Sequence, residues 1–94
     1  MEKRNEHDNM VTALMEEKSL AALVYLIDAG RELEFAAGEN TYFISKDKAA
    51  KYVSLWKGQA EQSFDHMYDL IEHGKVEGMP FFAAWKESEI STLF

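Results

Sequence analysis

The chain contains no cysteine and a single proline, Pro80, in its 94 residues. The first absence excludes disulfides, thiolate metal sites and cysteine nucleophiles. It also fits a reducing compartment. Long apolar runs are missing too. The longest, "LAALVYLI" (Leu20 to Ile27), is eight residues and ends at Asp28, well short of the ~18 residues of a membrane-spanning helix. The opening "MEKRNEHDN" is charged and leads into no signal-like apolar region with a small-residue cleavage site, so secretion is not expected and a cytoplasmic location is. Basic residues are few: ten Lys and Arg against seventeen Asp and Glu, for a formal charge of −7. That deficit disfavours contact with phosphate backbones, and nucleic acid is not an expected partner.

Apolar residues make up 47% of the chain and aromatics 13%. That is enough for one core, and a chain this short has room for only one. The expectation is a single domain over 1–94, with 1–8 as a disordered tail. The negative charge is uneven: −3 over residues 1–30, zero over 31–64 and −4 over 65–94.

Residues 8–29 have helical spacing, with Asp8 or Asn9 able to cap the start. The polar "EEKS" allows a break near Ser19, which could cap a second segment, and Gly30 can end the helix in a left-handed conformation. "GRELEFAAGENTYFIS" alternates on both sides of Gly38. A two-residue type II′ turn at Gly38-Glu39 pairs Ala37 with Asn40, Phe35 with Tyr42 and Leu33 with Ile44. All the large apolar residues of both arms then share one face, except Phe43; a one-residue slip would destroy that agreement. "SKDKAAK" reads as a basic connector. "YVSLW" reads as a strand, with a helix over 47–57 as the alternative. A three-residue loop around Gly58 would pair Trp56 with Ala60, Ser54 with Gln62 and Tyr52 with Phe64. Asp65 can cap a short helix that ends at Gly74. Pro80 suits the first turn of a last helix with Phe81, Ala84 and Trp85 as its buried stripe. "EISTLF" closes the chain as a short extended piece, with Leu93-Phe94 docked.

The succession GRELEF, TYFIS, YVSLW, FDHMYDLIE and VEGMPFFAAW resembles short uncharacterised proteins of Gram-positive bacteria and their prophages, over the chain from about Gly30 onward. The resemblance implies an origin of that kind and brings no catalytic motif with it.

The chemistry-bearing residues form no familiar constellation. No G-x-S-x-G surrounds a serine, and the five glycines build neither a P-loop nor a dinucleotide fingerprint. His66, Asp69 and His73 have the spacing of one helical face and are the metal candidates. The competing account is a solvated face with acid early and histidine late, which suits the helix dipole. Glu16-Glu17, Glu32/Glu34 and Glu87/Glu89 have the spacing of exposed carboxylates. Phe43, Tyr42, Tyr52 and Trp56 lie near Lys46, Lys48, Lys51 and Lys57, as in single-strand binders, although lysines also guard sheet edges.

The expected fold is therefore α+β: an antiparallel sheet of three to four strands packed against two to three helices, near 10–29, 65–73 and 80–88. The expected function is non-enzymatic, without cofactor or metal, through contact with another protein or as a homodimer, using Phe43, Tyr52 and Trp56. Two other classes stay open: a nucleic-acid mimic with acidic terminal helices, and a small metal-dependent enzyme.

Overall fold

The computed structural model describes residues 5–49 and 51–94. Two helices come first, α1 (Glu6–Glu17) and α2 (Leu20–Asp28). The break at Ser19 is real and local in cause. Lys18 takes a left-handed backbone (φ 53°), and the Ser19 hydroxyl accepts from the Ala22 N–H at 3.1 Å. A hydroxyl satisfying an otherwise unpaired N–H is the usual way a helix restarts. The cap of α1 is neither Asp8 nor Asn9. Asn5 does this work, its Oδ1 accepting from the Asp8 N–H at 2.7 Å. As a result α1 begins at Glu6, inside the stretch expected to be a tail, and Glu6 and Asp8 sit favourably in its first turn. Residues 1–4 of that stretch lie outside the described residues.

The first hairpin, β1 (Leu33–Ala37) and β2 (Asn40–Lys46), has the expected register: Leu33 opposite Ile44, Phe35 opposite Tyr42, Ala37 opposite Asn40. Gly38 has φ +61° while Glu39 does not have a positive φ, as a type II′ turn requires. The next hairpin, β3 (Val53–Lys57) and β4 (Ala60–Phe64), confirms strand over helix in this region. Its register differs by one residue from expectation. Val53 faces Phe64, Ser54 faces Ser63, Leu55 faces Gln62 and Trp56 faces Glu61. Gly58-Gln59 repeats the two-residue solution, with Gly58 at φ +58°, and this register puts Val53, Leu55 and Phe64 on the helix side. β2 also runs two residues into the expected connector, through Ser45 and Lys46.

The last third departs further from expectation. α3 (Met67–His73) is capped by His66 rather than Asp65. A small hairpin that the sequence reading missed follows: β5 (Lys75–Val76) and β6 (Met79–Pro80). Glu77 and Gly78 both have positive φ (53° and 79°), the signature of a type I′ turn. α4 spans only Phe81–Trp85 instead of 80–88, with Pro80 just before it. β7 (Glu89–Leu93) then pairs with β1. The main sheet therefore has five antiparallel strands in the order β4-β3-β2-β1-β7, where three to four were expected, and four helices stand where two to three were expected.

The core lies on one side of this sheet. Leu33, Phe35, Tyr42, Ile44, Val53 and Leu55 point inward and are buried against Leu23, Leu26 and Ile27 of α2, Leu70 of α3 and Phe81 and Trp85 of α4. Phe35 is central: it stacks on Tyr42 at 5.4 Å and meets Phe81 and Trp85 edge-on at 5.8 and 5.5 Å. α1 is clasped to α4. Lys18 Nζ donates to the Trp85 and Ser88 carbonyls and lies 5.0 Å from the Trp85 ring, and Trp85 Nε1 returns a bond to the Lys18 carbonyl at 2.9 Å. Burial lowers the pKa of this ammonium, and Glu89 partly opposes the shift. The shortest extent of the backbone is 20 Å, the depth of one sheet and one helix layer spaced by ~10 Å.

Candidate functional site

That one-sided packing decides where a site can be. The four helices pack on the inner face or on one another, and among the described residues none crosses the opposite face. The outward positions follow from strand alternation. One row crosses four strands: Glu61 (β4), Trp56 (β3), Phe43 (β2) and Glu34 (β1). Two aromatic rings occupy its middle and a carboxylate lies at each end. On one side of this row stand Ser63, Ser54 and Ser45; on the other stand Thr41, Ala36 and Glu89. Those neighbours are mostly small, and both rings are half-buried among them.

Local bonds hold the row in place. Trp56 Nε1 donates to Ser45 Oγ at 3.2 Å, and the Ser54 hydroxyl donates to the Glu61 carboxylate. Ser54 is thereby buried although it is on the outer face. Phe94 reaches the same surface. It exchanges two backbone hydrogen bonds with Glu32, and its ring meets Phe43 edge-on at 5.8 Å while remaining 55% exposed. Phe43 is thus half-covered by the C-terminal residue and not by a helix.

Phe43 and Trp56, expected to act together, are direct cross-strand neighbours. Tyr52 comes one residue before β3, and its carbonyl accepts from the Asp47 N–H at 2.9 Å; its alternation matches Ser54 and Trp56. Tyr42 is elsewhere, buried on the inner face. Glu61 escaped the sequence reading, hidden by the one-residue register difference. Glu34 stands on the outer face opposite Phe43, as the expected β1–β2 register places it. Phe94 is docked as expected, but its contact with Phe43 was not legible because β7 had no visible partner.

The lysines do not join the aromatics. Lys46, Lys48 and Lys51 line a cleft of about 420 Å³ at the C-terminal end of α2 with Asp28, Ala29 and Gly30. Lys46 pairs with Asp28 at 3.3 Å, and positive charge there complements the helix dipole. Lys57 lies 3.8 Å from Glu77. The basic-aromatic surface of a single-strand binder is therefore not assembled.

Nor do the metal candidates converge. His66 Nδ1 accepts the Asp69 backbone N–H at 3.2 Å, and His73 Nδ1 pairs with Asp69 Oδ1 at 2.9 Å. His66 is used as a cap on the Asp69 backbone, whereas only His73 meets the Asp69 carboxylate. Among the described residues no group of three His, Asp or Glu side chains is placed to hold an ion.

The tightest polar cluster is one that the sequence reading missed. Tyr42 donates its phenol proton to the Glu77 carboxylate and accepts the Glu77 N–H at 3.1 Å; Asn40 Nδ2 donates to the same carboxylate at 2.9 Å. The bond from Tyr42, then that from Asn40, holds the Glu77 carboxyl below its ordinary pKa, and Lys57 adds to this. Burial first, and the Glu77 bond second, pushes the Tyr42 phenol above its ordinary value. A carboxylate made less basic and a phenol made less acidic are poor proton-transfer groups at neutral pH. The cluster clamps the β5–β6 hairpin to the main sheet. No protein-family model, curated protein or solved structure matches this chain.

Proposed function

We propose that this chain is a non-enzymatic protein-binding module whose docking surface is the outer sheet face centred on Phe43 and Trp56. One observation supports the reading above the others: among the described residues no helix packs on the outer face of the five-stranded sheet, and its middle holds two neighbouring, half-buried aromatic rings among mostly small side chains. Aromatic residues surrounded by polar ones are common anchors of protein interfaces. The resemblance to Gram-positive and prophage proteins suggests the lysate to use.

The test compares proteins captured from a Gram-positive lysate by wild type, by Phe43→Ser/Trp56→Ser and by Tyr68→Ser, which alters a ring 65% exposed on the helical side. A protein recovered by wild type and Tyr68→Ser but lost with the double variant supports the reading. Recovery indifferent to Phe43 and Trp56 removes it. Losing the Phe43–Trp56 cross-strand pair costs about 0.2–1 kcal/mol beyond the half-buried area of the two rings, and circular dichroism of each variant checks that it is folded before capture.

The nucleic-acid mimic has less support. It requires acidic terminal helices, yet α4, Phe81–Trp85, carries no acid, and the other acids are scattered over α1, α2, α3, the sheet and several turns.

A further inference from the structure

We infer that the outer face receives an extended basic segment of another polypeptide, of the form basic–x–apolar–x–basic, rather than a second copy of this chain. This rests on the docking reading above and adds the chemistry of the occupant.

Charge makes the first distinction. The outward strand positions include Glu34, Glu61 and Glu89 and no Lys or Arg. The basic residues of these strands, Lys46 and Lys57, alternate to the other side, toward Asp28 and Glu77. Among the described residues Glu34 and Glu61 form no salt bridge. Two copies placed face to face would oppose carboxylates to carboxylates, and such juxtaposition is costly. The same acids repel nucleic acid.

Size makes the second distinction. Five strands about 4.8 Å apart, each about five residues long at ~3.3 Å, give a flat footprint of roughly 300 Å². A stable protein–protein interface buries about 800 Å² on each partner. The footprint suits a segment better than a domain or a second copy.

Spacing supplies the pattern. Glu61 and Glu34 are three strand intervals apart, roughly 14 Å. In an extended chain residues i and i+4 are about 13 Å apart on one face, with i+2 between them. A segment laid across the strands would bring two basic side chains to Glu61 and Glu34 and an apolar one onto the Trp56–Phe43 pair. Arginine suits the ends best, since its planar fork can pair with a carboxylate and lie on an adjacent ring.

The probe is a library of displayed random 12-residue peptides, selected on the full chain. Selected peptides are then titrated into labelled protein while the two indole N–H signals are followed by NMR. Trp56 reports the outer face, and Trp85, 3% exposed in the core, is the internal control. The expected result is enrichment of basic–x–apolar–x–basic sequences that move the Trp56 signal and leave Trp85 in place. Their affinity should fall about 10-fold or more in Glu34→Lys/Glu61→Lys and in high salt. If the charge-reversed protein does not fold, Glu34→Gln/Glu61→Gln serves, with a smaller loss in the same direction. Peptides that move Trp56 but carry no bases, and bind the acid variants unchanged, overturn the basic occupant and leave the docking surface standing. Peptides that leave Trp56 unmoved, or no enrichment at all, overturn both. A concentration-dependent dimer abolished by Trp56→Ser, seen by sedimentation, would make the second copy the occupant and overturn the inference.

Discussion

At the scale of single residues, what a side chain does here depends on which face of the sheet it reaches. Tyr42 and Phe43 are adjacent in sequence and alike in chemistry. One turns inward, stacks on Phe35 and bonds Glu77; the other turns outward beside Trp56. The Tyr42–Glu77 pair leads to a pH prediction. Because the folded protein holds the Glu77 carboxyl below its ordinary 4.5, the unfolded chain binds the proton more readily. The stabilising contribution of this group is therefore complete above about pH 4.5 and is lost as pH falls through the lower folded value. Tyr42 behaves oppositely: its phenol is raised above its ordinary 10.0, so its contribution is lost as pH climbs past that value. Tyr42→Phe should lower the urea midpoint at pH 7 and flatten the fall in stability below pH 4.5 relative to wild type. Urea unfolding measured from pH 3 to 7 checks both. An unchanged acid limb would mean that other carboxylates govern it.

At the scale of elements, glycines show how local geometry and packing separate. Gly58 holds the β3–β4 turn with φ +58°, and a Cβ there would meet nothing within 4 Å. Gly74, which ends α3 as expected, does so with φ −62° rather than a positive φ; a Cβ there would lie 2.5 Å from the Leu70 carbonyl oxygen and 3.3 Å from the Leu55 side chain. Gly58→Ala should cost about 1–2 kcal/mol, the penalty of a left-handed conformation alone. Gly74→Ala should cost more, because backbone must move where α3 lies on β3. Chemical denaturation of the two variants gives the order. The elements were unequally legible for related reasons. In β1 and β2 one alternation is apolar and the other mostly polar, so turn chemistry and burial agreed on a single register. β3 is apolar on both alternations, with Val53 and Leu55 on one side and Tyr52 and Trp56 on the other, so the pattern could not choose between a two- and a three-residue loop. The β5–β6 hairpin has only two residues per strand, too few for any periodicity, and only the Glu77-Gly78 dipeptide hinted at it.

At the scale of the whole molecule, the ends of the chain complete the sheet and the helical layer. β7 covers the edge of β1, and Phe94 is tied to Glu32 by two backbone bonds and held by Arg31 Nε, which donates to its carbonyl oxygen at 2.5 Å. Removing residues 89–94 should expose the β1 edge next to Phe35, the most connected ring of the core. The expected outcome is a large fall in melting temperature and faster amide exchange in β1, with β3 and β4 affected later. Equal exchange throughout the sheet would show that β7 adds nothing to its edge. A chain of this size has only about 5–15 kcal/mol of net stability, so one strand is a sizeable fraction.

Sequence alone determined whatever depends on neighbours a few residues apart: the turn at Gly38, the pairing of Leu33 with Ile44, the buried stripe of Phe81, Ala84 and Trp85; it allowed the break at Ser19 without choosing between one helix and two. Those features follow from caps, backbone sterics and period, which act at short range. Tertiary structure decided the rest: the fifth strand, the partner of Trp56 across β3 and β4, the Tyr42–Glu77 clamp, and the choice of which sheet face the helices leave open. Each of those joins segments distant in the chain. Such contacts are selected by the mutual fit of whole faces, which no local window of residues contains.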